Sequence, residues 1–185
     1  MHYYDLKQDL ALVDKKDNIV GRIDKWEAHK KGLLHRAFTI ALIYKDQIVL
    51  QHRRHPVFDG YYDLTCSSHP VYIGDILQTF EQGFYTTLKR EWNLDEGNIQ
   101  KMEDKGSVYY QAKDPNSIYG EHEICHLLVG EISLFPSPNY EFAYGFSLVS
   151  KKSLLDKKNS CSWWRVYWLI GQLLFGKKRT QGNTH

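Results

Sequence analysis

Several features that assign a protein quickly are missing from this sequence. Its three cysteines, Cys66, Cys125 and Cys161, show no CxxC spacing. An odd, unpaired set excludes a disulfide framework and a paired-thiol metal motif. Long hydrophobic runs are missing as well. The longest, in "WWRVYWLIGQLLF", covers 13 residues, whereas a bilayer crossing takes roughly 20. No transmembrane segment is expected, and the run reads as a docked C-terminal helix, with a membrane-surface helix as the alternative. Neither sign of charge dominates: 24 Lys and Arg against 22 Asp and Glu leave +2, so no nucleic-acid partner is implied. There is no repeat, low-complexity segment or domain linker. The opening "MHYYDLKQDL" is polar and does not read as a signal peptide, so reduced thiols and a cytoplasmic location are expected.

What is present is an ordinary globular composition, 42% hydrophobic and 25% charged over 185 residues. That length suits one domain, here 1–185, with a core over about 10–176 and a basic tail at 177–185. The first apolar stretch reads as a strand, a turn at "KKDN" and a second strand or helix entry. A short helical turn and a glycine break lead to a strongly apolar strand at 35–44, which "KDQ" folds into a β-hairpin over 35–53. "YYDLTCSS" is another short strand or extended loop. Ile76, Phe80, Phe84, Leu88 and Trp92 repeat at i, i+4, one face of a central helix that "EGN" ends. Strands follow in "KGSVYYQAK", "EHEICHLLVGEI" and the segment after "SPNYEF", then a short helix and the C-terminal helix. This order predicts an α+β fold, mixed sheets flanked by a central helix and a C-terminal helix.

Some polar residues are not explained by apolar patterning. His29 and His35 flank the entry to the long strand, and His69 lies three residues beyond Cys66. Glu121 and Glu123 frame His122 at the start of another strand. Residues i and i+2 of a strand share a face, so the two carboxylates point together and repel unless a proton or cation lies between them. Three imidazoles and two carboxylates suit Zn²⁺, Mn²⁺ or Mg²⁺. With nine histidines in the chain, the alternative is a set of surface histidines beside a solvated carboxylate pair.

The stretches "HKKGLLHRAFTIALI", "TCSSHP", "LKREWNL" and "YYQAKDPNSIYGEHEI", in this order, resemble type I isopentenyl-diphosphate isomerase, a member of the Nudix superfamily. The resemblance spans roughly residues 10–170. It implies a Nudix-type fold and the interconversion of isopentenyl and dimethylallyl diphosphate through a tertiary carbocation-like state. It implies that His29, His35, His69, Glu121 and Glu123 ligate one divalent metal, and that Glu123, helped by Tyr110, is an acid/base group. Glu91 matches the glutamate that holds a second Mg²⁺ with the substrate diphosphate. Trp163 matches the tryptophan that faces the cation, with Trp164 as its neighbour one register away. Arg53 matches a diphosphate-binding arginine, and Arg54 or His55 stands in for a lysine.

The match departs from the family at two places. Aligning on His69 and Pro70 puts Ser67 where the family has its second acid/base group, a cysteine. Cys66 falls one position earlier, on the opposite face of an extended segment. A serine hydroxyl is far less acidic than a thiol, whose ordinary pKa is about 8.5, so the usual isomerase chemistry is expected to be impaired unless the loop shifts by one residue and brings Cys66 into place. On the central helix Thr86 and Thr87 occupy the places of paired arginines, which implies a weaker or different diphosphate ligand. Two other functions fit less of the pattern. A Nudix hydrolase of another organic or nucleoside diphosphate needs several glutamates on that helix, where "TTLKREWNL" keeps Glu91. A non-catalytic diphosphate-binding relative would retain the metal cage alone.

Overall fold

A computed structural model describes residues 3–150 and 152–153. Cys161, Trp163, Trp164, the C-terminal helix expected from the sequence and the tail at 177–185 lie outside the described residues. Asp14 caps the first turn: its Oδ1 accepts from the backbone N–H of Lys16 (2.8 Å) and Asn18 (3.0 Å). This Asx turn folds β1 (Asp9–Val13) onto β2 (Ile19–Asp24). Helix α1 (Lys25–Lys31) starts at Asp24, which accepts from the N–H of Trp26 and Glu27. It stops at Gly32, whose φ of 62° is left-handed, a conformation that glycine adopts without a Cβ penalty.

The expected hairpin joins β3 (His35–Tyr44) to β4 (Gln47–Arg53) through Lys45 and Asp46, both with positive φ. Strand β11 (Ala143–Ser150) covers the far edge of β4. Strands β9 (Ile99–Lys113) and β10 (Gly120–Ile132) form a second hairpin, and β10 runs parallel to β3 along its whole length. The other edge of β3 is shared: β1 meets it at His35, β6 (Cys66–Ser68) at Phe38–Ile40, and β4 at its end. The result is a mixed sheet with helices, the α+β class expected. Between β4 and β6 lies the two-residue strand β5 (Tyr62–Asp63).

The central helix departs from its expected start. Helix α2 spans Phe80–Trp92, not the turn before it. Ile76 belongs instead to a small hairpin of β7 (Tyr72–Ile73) and β8 (Ile76–Leu77), where it is 76% exposed. The cause is local. Gly74 turns left-handed, and Thr79 makes a capping box with Gln82 that defines the helix start three residues after Ile76. From Phe80 onward the apolar period is used as expected: Phe84, Leu88 and Trp92 are buried against Phe38, Ile40, Leu42 and Cys66. The approach at Gly83 is close, since a Cβ there would sit 2.7 Å from Phe38 Cε1. Even-numbered residues of β3 thus face α2. His35, Ala37 and Thr39 face the other way, onto the side of the sheet that carries the polar cluster.

Candidate active site

That side of the sheet gathers residues from five separate segments. His29 comes from α1, where it is buried together with Lys25 and Ala28. His35 opens β3, and His69 follows β6. Register does the rest: Glu123 of β10 lies directly beside His35 and directly opposite Tyr110 of β9. Histidine atoms able to bind a metal lie within 4.8 Å of one another, and the three ring centroids are 4.8–5.1 Å apart. Glu123 Oε1 is 3.5 Å from His35 Nε2 and 3.3 Å from His69 Nε2.

Backbone carbonyls determine how the rings point. His29 Nδ1 donates to Gly120 O at 2.9 Å, and His35 Nδ1 donates to Leu33 O at 2.7 Å. A carbonyl can only accept, so the proton of each neutral ring is on Nδ1 and the lone pair is on Nε2. Both Nε2 atoms are buried without a hydrogen-bond partner. A buried acceptor without a donor is costly, and a divalent ion supplies what it lacks. Histidine ligands are usually oriented in this way, by a hydrogen bond from the second ring nitrogen. Burial holds the His29 ring well below its ordinary pKa, reinforced by His69 and His35. Burial likewise lowers His69, to about 4. Neutral imidazoles are the ligating form, so the donor set fits a divalent cation.

The carboxylates are linked by one phenol. Tyr110 Oη lies 2.7 Å from Glu121 Oε2 and 2.6 Å from Glu123 Oε2. A phenol has a single proton, so in the metal-free protein one carboxyl must bring another. Burial and the charge of Glu123 push Glu121 up, which makes it the carrier. Burial acts on Glu123 in the same direction, but the His35 and His69 rings held beside it outweigh it and keep this carboxyl well below its ordinary range. Tyr109, the alternating neighbour, is 48% exposed and reaches His122 instead.

The remaining sequence-derived candidates divide by the pleat. Ser67 pairs with Thr39 in the sheet and shares the histidine face. Its Oγ donates to Asp63 Oδ2 at 3.0 Å and lies 2.9 Å from Thr39 Oγ1. Cys66 is fully buried among Phe38, Phe84 and Leu88, on the α2 side. No bulge interrupts the β3–β6 register, so the shift that would bring Cys66 round does not occur, and burial pushes its thiol pKa up. Arg53 is buried, paired with Asp63 and bonded to Val57 O at 3.1 Å. Arg54, one residue on, is exposed: it donates to Tyr140 O and lies over Tyr144. His55 packs edge-on against Tyr4 at 4.8 Å. Glu91, at the end of α2, is 6% exposed and accepts from Arg90 Nη2 (2.7 Å) and Gln51 Nε2 (3.4 Å).

Three residues of this region were not singled out from the sequence. Lys25 is buried one helical turn before His29, a spacing that could have flagged it. Arg90 lies against Glu91, hidden in an otherwise ordinary charged stretch. Cys125 is two residues past Glu123, so strand alternation puts it on the carboxylate face, where it is buried.

Comparison with known proteins agrees with this geometry, although no family model matches the chain. The chain is 33% identical over 150 residues to isopentenyl-diphosphate delta-isomerase 2 of Homo sapiens, covering 72% of this chain and 66% of the human protein. It is 31% identical over 168 residues to isopentenyl-diphosphate Delta-isomerase 1 of Mus musculus, covering 82% and 73%. The isomerase of Serratia proteamaculans is 28% identical over 151 residues, with 80% and 79% covered. Among solved structures, a MutT Nudix hydrolase from Burkholderia pseudomallei superposes with a TM-score of 0.54 at 11% identity, over 74% of this chain and 97% of that one. A MutT protein from Methanosarcina mazei gives 0.56 at 12%, over 75% and 93%. At such identities the structural likeness speaks for the fold alone, which is Nudix. Sequence identity of this extent, over most of both chains, means that the protein belongs to the isopentenyl-diphosphate Delta-isomerase family.

Proposed function

We propose that this chain interconverts isopentenyl and dimethylallyl diphosphate. The observation that carries the reading is the convergence of buried His29, His35 and His69 on Glu123, with Tyr110 bridging Glu123 to Glu121. These three histidines and two glutamates would hold one divalent ion, Mn²⁺, Mg²⁺ or Zn²⁺, which would supply fixed positive charge that tunes the proton affinity of the carboxylates. A second Mg²⁺ would enter with the diphosphate beside Glu91.

The reaction adds a proton to the terminal methylene carbon of isopentenyl diphosphate, leaves positive charge at the tertiary carbon, and removes a proton from C2 to form the new double bond. Glu123 is the group we assign to one transfer. Its Oε2 is already hydrogen-bonded to Tyr110, which can pass a proton along the short chain to Glu121. Ser67 is assigned to the other transfer. Its hydroxyl is polarised by Asp63, which accepts its hydrogen, and this compensates in part for the missing thiol. Trp163, outside the described residues, is assigned to face the cation. The diphosphate falls to Arg53, with Lys25 beside it. The exposed Arg54 has no part in this arrangement.

The free, buried thiols Cys66 and Cys125 suit a reducing compartment, which supports a cytoplasmic location. Among the described residues no helix is long and apolar enough to cross a membrane. Hydrolysis is the less supported activity. Helix α2 carries two carboxylates, Glu81 in its first turn and Glu91 near its end, where a hydrolase needs several gathered on one helix. Incubation with isopentenyl diphosphate and Mg²⁺ or Mn²⁺, followed by proton NMR, tests the reading. Dimethylallyl diphosphate is the expected product. Released phosphate would mark a hydrolase, and an unchanged substrate would mark a binding protein, either of which refutes the isomerase.

A further inference from the structure

Beside the histidines lies a cluster of three cations with too few acceptors. Lys25 is 4% exposed, and among the described residues no carboxylate pairs with it. Its Nζ has one hydrogen-bond acceptor, the neutral Gln8 Oε1 at 3.3 Å, and lies over the rings of Trp26 (4.9 Å), Tyr3 (5.4 Å) and Tyr4 (5.7 Å). Arg53, 5% exposed, keeps its Nε buried without a partner despite its pairing with Asp63. Arg90 also has a buried, unpartnered Nε. Its guanidinium lies 4.0 Å from the centroid of Tyr3, reaches Glu91 at 2.7 Å, and extends back over Thr87 Oγ1 at 3.4 Å.

Balancing Glu91 alone would not require this arrangement. A surface arginine could do so, with its remaining donors in water. Here the donors are sequestered, and burial together with the charge of Arg90 lowers the Lys25 ammonium to about 8. Cations are gathered at such a cost where an anion completes the site. A diphosphate, with several charged acceptor oxygens, matches a cluster in which two guanidinium N–H groups and most of an ammonium have nothing to bond. The ring of Tyr3 is approached by two of the three cations, and Gln8 ties it down by donating from Nε2 to its Oη at 3.0 Å.

We propose that Arg90, held over the ring of Tyr3, is a third diphosphate-binding cation alongside Lys25 and Arg53, and that the N-terminal Tyr3 is the residue that positions it. This rests on the diphosphate reading above and adds to it the residue from α2 that supplies charge there.

The test measures binding of inorganic pyrophosphate to the full chain by calorimetry in Mg²⁺ buffer, which needs no turnover. Arg90→Leu should weaken binding about 10- to 100-fold, the range for losing a hydrogen bond to a charged group. Arg90→Lys should recover part of the loss. Thr87→Arg added to Arg90→Leu should recover most of it, because that side chain starts one turn earlier beneath the same spot. Tyr3→Leu should weaken binding about 2- to 5-fold by removing the cation–π seat. With isopentenyl diphosphate the Arg90 loss should appear in KM more than in kcat, a split that a purely structural role would not produce. If Arg90→Leu fails to fold, Arg90→Gln, which keeps a donor for Glu91 without the charge, is expected to lose the same affinity. Wild-type affinity in a cooperatively melting Arg90→Leu or Arg90→Gln protein overturns the role of Arg90 and leaves the isomerase reading standing. Failure of the wild type to bind pyrophosphate overturns both.

Discussion

Replacing Ser67 with cysteine puts a thiol at the position assigned to the second proton transfer. The structure allows two opposing effects to be estimated. The Ser67 hydroxyl donates to the Asp63 carboxylate at 3.0 Å, and a hydrogen bond to a charged acceptor contributes about 1.5–3 kcal/mol. Sulfur is larger and a poorer donor, so part of that is lost, on the order of 1 kcal/mol. For a chain of this size the melting temperature should fall by about 2–4 °C. Catalysis should move the other way. A thiol titrates near 8.5, far closer to neutrality than a serine hydroxyl, and a positioned acid/base group contributes about 10²- to 10⁴-fold. Ser67→Cys should therefore raise kcat for isopentenyl diphosphate by that order while lowering the Tm. The assay pairs NMR product formation with thermal denaturation of the same preparation. A cooperative melt with no gain in kcat would refute the assignment of position 67, since the backbone around Ser67 already directs its side chain to the histidine face.

Three further outcomes follow from the geometry. His35→Ala removes one of two buried, unpartnered Nε2 atoms and should weaken Zn²⁺ or Mn²⁺ binding at least 10-fold by calorimetry; unchanged affinity would disperse the proposed cage. In chelator-treated protein, His69 is depressed to about 4 from an ordinary value near 6.5. At this ring the unfolded chain then binds more protons between these values, so the stability that His69 contributes is present in full above about pH 6.5 and is lost as pH falls toward 4, by roughly 3 kcal/mol; an unchanged pH slope of urea-derived stability in His69→Asn would contradict the burial of this ring. Gly83→Ala forces a methyl to within 2.7 Å of Phe38 Cε1 and should cost about 1–3 kcal/mol in thermal or urea denaturation; a neutral result would mean that α2 sits further from the sheet.

Much of the local arrangement was legible because it follows from backbone periods. Alternation along β10 was enough to put Glu121 and Glu123 together and turn His122 away, and in the structure His122 Nδ1 bonds Gly32 O on another element. The same alternation separated Ser67 from Cys66. The hairpin at 35–53 was legible from the polar "KDQ" between two apolar runs. The helix start was misjudged because Ile76 continues the apolar period of α2, while the capping box at Thr79 and the turn at Gly74 override it. A hydrophobic period says which face is buried, and capping says where the hydrogen-bond ladder can begin.

Local sequence therefore sets the candidate donors and the face each presents, properties of covalent geometry over a few residues. Which of the nine histidines meet is fixed by long-range packing, and so are the contacts of the buried cations. His29, His35 and His69 come together because β10 lies parallel to β3 with Glu123 in register with His35, and because α1 docks with His29 Nδ1 on Gly120 O. The same packing turns Arg53 inward and Arg54 out, and brings Lys25 and Arg90 to the same tyrosine. Such meetings depend on sheet register and helix docking between segments far apart in the chain, and no local period encodes them.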